Sequence, residues 1–130
     1  MRKIIIFLIT LFVSYNLFAI DYVFGDYTYI GAQHCTIEID DDYEMTVEYF
    51  DIQNQRKIEY EGRYRIIGNE IHFTAYSREI ETYKFFNSER KRFGVWNFIL
   101  KIEPLDINYV NIESSNVEIP TGKYFRKIDF

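Results

Sequence analysis

Few side chains in this chain are equipped for chemistry: one cysteine (Cys35), two histidines (His34 and His72) and serines at 14, 77, 88, 114 and 115. His34 and Cys35 are adjacent, and thiolate with imidazole is a pairing used by metal sites and thiol nucleophiles. Neighbouring residues on a strand point to opposite faces, so these two cannot easily share one ion. Alternation turns Cys35 inward with Ile37 and Ile39 and leaves His34 outward. His72 also points outward, between Ile71 and Phe73. No serine sits in a Gly-x-Ser-x-Gly frame. Asp40-Asp41-Asp42 gathers carboxylates but lacks the spaced oxygens and glycine of a calcium loop. Glu59 and Glu61 share a face with Arg63 and Arg65, whereas catalytic acids need a cleft and a shifted pKa. The expectation is no catalytic residue, no metal site and no cofactor.

The elements that carry these residues read as strands. From Tyr22 onward, short alternating runs are separated by turn residues, the pattern of an all-β barrel or sandwich. The predicted runs are 24–30, 34–40, 43–50, 57–67, 70–76, 79–86, 93–102, 105–112 and 123–128. Inward sets follow from parity: Met45, Val47 and Tyr49; Ile58, Tyr60, Tyr64 and Ile66; Ile71 and Phe73; Trp96, Phe98 and Leu100. In the run 79–86 the facing is open, because Ile80 and Phe86 oppose Tyr83 and Phe85. Gly62 within the long run marks a bulge or bend, and Gly68-Asn69 marks a hairpin. Short links favour a single antiparallel up-and-down meander of about eight or nine strands that closes on itself, with a β-sandwich as the competing arrangement.

The N-terminus carries Arg2 and Lys3, an apolar run from Ile4 to Val13, and Ala19 before a change of composition. That order predicts a signal peptide over 1–19, an exported product (periplasmic or secreted) and a single domain over 20–130. The run is short for a membrane span, and no cysteine follows Ala19 closely enough for a lipid anchor. Loss of Arg2 and Lys3 takes the net charge from −5 to −7. Such a chain should repel nucleic acid and anionic membranes. The basic stretch Arg90-Lys91-Arg92, with Lys84 nearby, reads as a solvated loop. With a single cysteine, stability must come from packing.

Gly25-Asp26-Tyr27 opens the first predicted strand, and Gly122-Lys123-Tyr124 opens the last. This arrangement resembles the lipocalin-like (calycin) barrels, where a Gly-x-Trp element starts the first strand and a basic residue near the last strand packs across the ring. The resemblance implies that Tyr27 takes the ring's place and that Arg126 or Lys127 takes the basic role, with Gly25 and Gly122 at the closure. It is strongest with small barrel domains of exported bacterial proteins.

The expected activity is binding rather than catalysis. Tyr49, Tyr60, Tyr64, Phe73, Trp96 and Phe98 project inward and could line a pocket for a small apolar or aromatic ligand. Buried phenol hydroxyls need partners, which a wet or ligand-filled cavity would supply. The alternative is a structural or interaction protein of the cell envelope that acts through outward Phe50, Ile67, Val95 and Ile99.

Overall fold

A computed structural model describes residues 24–82, 87–88 and 92–127. The predicted signal segment, Lys84 and residues 89–91 lie outside the described residues. The strands are β1 (Gly25–Tyr29), β2 (Cys35–Ile39), β3 (Glu44–Asp51), β4 (Arg56–Ile67), β5 (Glu70–Thr82), β6 (Asn87–Ser88), β7 (Arg92–Pro104), β8 (Tyr109–Ser114) and β9 (Gly122–Lys127). Every pairing is antiparallel. The order runs β4-β3-β2-β1-β9-β8-β7-β5, and β4 pairs back onto β5. The result is a closed eight-stranded meander, with the two residues of β6 extending the β5 ladder beyond β7. The sandwich alternative is thereby removed. An eight-stranded barrel has an interior just wide enough for side chains to fill.

The loops at 30–34, 52–55 and 115–121 mark one end, called upper here; the turns at 40–43, 68–69 and 105–108 mark the lower end. The seam between β1 and β9 pairs Tyr27 with Arg126 and Tyr29 with Tyr124. Tyr27 is fully buried, and Arg126 is 5% exposed. The Arg126 guanidinium lies 5.9 Å from the centre of the Tyr27 ring. It also donates through Nε and Nη2 to the Phe24 carbonyl, the former at 3.0 Å. Gly25 has φ 139°, and a Cβ there would stand 2.8 Å from the Lys127 carbonyl oxygen. The strands could not approach so closely with a side chain at this position. Gly122 begins β9 opposite Ile112.

Two boundaries differ from the sequence reading. The runs 70–76 and 79–86 are joined in one strand, β5, which reaches Thr82; residues 83–86 lie outside the described residues. The join is a bulge. Glu61 pairs with Ser77 while Gly62 pairs with Ala75, so Tyr76 is an extra residue opposite β4. On the other side, Ala75 pairs with Trp96 and Ser77 with Phe93. An added residue in a strand reverses the parity of everything beyond it. Gly62 is required at this point: a Cβ would overlap the Thr74 carbonyl oxygen and lie 2.5 Å from Ala75 Cα. The second difference is the start of β8 at Tyr109 instead of Leu105. Asp106 Oδ1 accepts from the backbone N–H groups of Asn108 (2.8 Å) and Tyr109 (3.0 Å) and folds the intervening residues into a turn.

Candidate functional site at the upper end of the barrel

Five of the six inward aromatics converge as a chain of ring contacts. Tyr49 of β3 lies 6.3 Å from Tyr60 of β4, centre to centre. Tyr60 meets Phe98 edge-on at 4.8 Å and Trp96 at 5.9 Å. Phe98 lies 5.7 Å from Phe73. Phe73 faces Tyr64 across the β4–β5 ladder. Edge and offset arrangements of this kind are the favoured geometry for packed rings.

The phenol hydroxyls that suggested a wet interior find partners in the loops. Tyr49 donates to a carboxylate oxygen of Glu118, in the β8–β9 loop. Tyr64 donates to the Asp40 carbonyl at 2.5 Å. Tyr124 donates to the Pro120 carbonyl at 2.5 Å, and its oxygen lies 3.7 Å from Cys35 Sγ. Burial raises all three tyrosine pKa values above the ordinary phenol value; for Tyr64 the result is about 12. These rings therefore act as caps that fasten the barrel wall to the loops at both ends.

A hollow of about 480 Å³ opens at the upper end. Gln33, Tyr49, Asp51, Arg56, Val117 and Glu118 contribute to its wall. Of the six predicted pocket residues, Tyr49 is the one that lines it; Tyr60, Trp96, Phe98 and Phe73 continue from Tyr49 into the barrel, and Tyr64 is tied to the lower end. The hollow is bordered by paired charges. Arg56 Nε donates to Asp51 Oδ2 at 3.1 Å. Asn54 and then Arg56 hold the Asp51 carboxyl below its usual range. Gln33 Nε2 donates to the Glu118 carbonyl at 3.2 Å, which ties two loops across the opening.

Sequence reasoning missed Arg56, Glu118 and Arg78. The first two act through loop geometry that alternation does not report. Arg78 was hidden by the bulge at Tyr76. Extrapolating the parity of Ile71, Phe73 and Ala75 would turn it outward, yet it pairs with inward Tyr60, and its Cζ lies 5.6 Å from that ring's centre. Ile80 was the available signal, since an inward Ile80 after an inward Ala75 requires a reversal between them.

Reactive groups elsewhere are placed apart. His34 lies 3.4 Å from Glu48, and His72 lies 3.6 Å from Glu70, with β3 and β4 between β2 and β5. Cys35 is fully buried, and burial pushes its thiol up to about 11, so it carries almost no thiolate at neutral pH. Asp40, Asp42 and Glu44 bring carboxylate oxygens within 4.8 Å of one another on the exposed hairpin tip. The four outward apolar residues do not form one patch. Phe50 pairs with Lys57 near the upper end of β4, and Ile67 ends the same strand at the lower turn. Ten residues of strand separate those levels by roughly 33 Å.

Comparison of the chain with protein-family models, with curated proteins and with solved structures finds no match.

Proposed function

We propose that this is an exported, non-enzymatic protein of lipocalin-like type that binds a small apolar or aromatic molecule at the upper end of its barrel. The observation that carries this reading is the hollow of about 480 Å³, with Tyr49 in its wall and the Tyr60, Trp96 and Phe98 rings behind it. Its size falls within the ~300–1,000 Å³ usual for small-molecule sites, with Tyr49 and Phe50 as its aromatic wall and Gln33, Asp51, Arg56 and Glu118 among its polar groups. The buried, protonated Cys35 and the separation of the two histidines, His34 just before β2 and His72 on β5, support binding over catalysis. The ligand's apolar body would lie against Tyr49 and Val117, with Arg56, Asp51 and Gln33 at its polar edge.

Titration with the neutral fluorescent probe phenylnaphthylamine tests this. Saturable binding is expected, weakened at least severalfold by Val117→Asp. Val117 is 97% exposed, so that substitution places a charge in the wall without touching the core. No saturable binding, or binding indifferent to Val117→Asp, would remove the reading.

One observation favours contact with another protein instead. Tyr76, Phe93 and Val95 are all exposed around the β5–β7 bulge, Phe93 at 81%. If that surface is the working one, Val95→Asp abolishes partner capture while leaving probe binding intact.

A further inference from the structure

Arg78 is in an unusual position for a cation. The bulge at Tyr76 turns it to the inner side of the barrel, opposite Tyr60 on β4. Its Nε is buried and has no hydrogen-bond partner among the described residues. On the other flank of β5 it stands directly opposite Arg92 of β7. Directly opposed residues of an antiparallel pair share a face, and like charges placed so repel each other. The buried Arg78 Nε–H, without a partner among the described residues, adds a desolvation cost.

The nearby described acids do not relieve this pair. Asp51 is paired with Arg56, and Glu118 accepts from Tyr49. Glu81 pairs with Lys57 on the outer side, and Glu79 faces Glu59 there. The chain has more acids than bases overall, so the lack of a compensating acid beside Arg78 and Arg92 among the described residues is not a consequence of composition. Beside them the buried Tyr60 ring meets the half-buried Trp96 indole edge-on, with centres 5.9 Å apart.

We propose that the mouth between β4, β5 and β7 is an oxyanion site, and that the ligand is a small organic carboxylate with a planar apolar body. The carboxylate is held by the forked N–H groups of Arg78, with Arg92 closing from the opposite strand. The body reaches from Trp96 along the Tyr60 edge toward Tyr49 in the wall of the hollow. This inference rests on the ligand-binding reading above and names the chemical class of its ligand.

The test uses two probes with similar aromatic bodies, anionic anilinonaphthalene sulfonate and neutral phenylnaphthylamine. Trp96 is the only tryptophan in the chain, so quenching of its emission reports occupancy at this mouth. The expected result is tighter binding of the anionic probe, with Trp96 quenched. Arg78→Gln should weaken it by about tenfold or more, the range lost with a charge-assisted hydrogen bond. Arg78→Lys should recover part of the loss, and the exposed Arg92→Gln should weaken it by less. Binding of the neutral probe should fall much less than that of the anionic probe in each variant, and thermal melts of each variant show that the fold is intact. Benzoate should displace the anionic probe at concentrations where inorganic phosphate does not. Equal loss of both probes, or an anionic probe indifferent to both Arg78→Gln and Arg92→Gln, would overturn the oxyanion site and leave the binding reading in place. Displacement by phosphate as good as by benzoate would overturn the organic carboxylate. Failure of both probes on the wild-type protein would overturn the binding reading itself.

Discussion

Glu59→Gln should stabilise the protein at neutral pH and do so less and less in acid. Glu59 lies on the outer face of β4, directly opposite Glu48 on β3 and Glu79 on β5. The three carboxylates form a row across three strands, with Glu61 two positions along on the same face. The nearby cation Lys57 is engaged at its edge, 3.5 Å from Glu81, and the His34 ring lies 3.4 Å from Glu48. Partial burial, then the hydrogen bond with Glu61 and the charges of Glu61, Glu48 and Glu79, raises the Glu59 pKa. The sign follows from linkage. A carboxyl whose folded pKa exceeds its unfolded value binds more protons in the folded state, so the wild type gains stability as pH falls through the folded value. That gain is complete below the unfolded value of ~4.3. A neutral amide has the gain at every pH. Each directly opposed like-charge pair costs ~0.2–1 kcal/mol, so two pairs on a half-exposed row put the advantage of Glu59→Gln at about 0.5–1.5 kcal/mol at pH 7. In thermal melts this is a rise of roughly 3–8 °C. The assay is a set of paired melts of wild type and variant from pH 7 down to pH 3, at low salt and in ~1 M salt, where screening shortens to ~3 Å. A variant no more stable than wild type at pH 7, or an advantage undiminished at pH 3, would refute the reasoning.

Gly62→Ala should destabilise by ~3 kcal/mol in urea melts, since the added carbon overlaps the Thr74 carbonyl oxygen and neither strand can retreat from the ladder. Tyr49→Phe should cost about 1 kcal/mol by losing the donor to Glu118 while keeping the ring, and Tyr49→Phe in a Glu118→Gln background should cost less. Cys35, buried with its thiol pushed up to about 11, should react with a thiol reagent at pH 8 roughly a hundredfold more slowly than in the denatured chain. Rapid stoichiometric labelling of the native protein would contradict that placement.

The alternation of apolar and polar residues was enough to read most strand bounds and almost every inward side chain. β2, β3 and β4 carry an uninterrupted period of two, so Cys35, Val47 and Ile58 are buried as parity requires. The period fails at Tyr76, because a bulge shifts the phase without a compositional mark on the bulged strand itself. Gly62, the clue to that bulge, lies on the neighbouring strand. The loss of phase hid Arg78. Leu105 to Asn108 also read as strand, and the structure instead makes them a turn set by the Asp106 side chain. The tyrosine hydroxyls were the least legible part. A strand pattern says that Tyr49, Tyr64 and Tyr124 point inward, but their partners Glu118, Asp40 and Pro120 are supplied by loops whose positions depend on the closed barrel.

The seam between β1 and β9 also governs how the chain reaches its native state. Asp26 pairs with Lys127, so the last ladder joins residues near the two ends of the described chain. Bringing such distant segments together carries a loop-closure cost that local hairpins do not, and folds dominated by distant pairing form slowly. Until β9 is in place, β1 and β8 each present an open edge able to pair with another chain. The guanidinium of Arg126, fixed on the Phe24 carbonyl and over Tyr27, is then a latch on the final step. Loosening it would lengthen the time the unclosed sheet is exposed to aggregation, even where the finished barrel loses little stability.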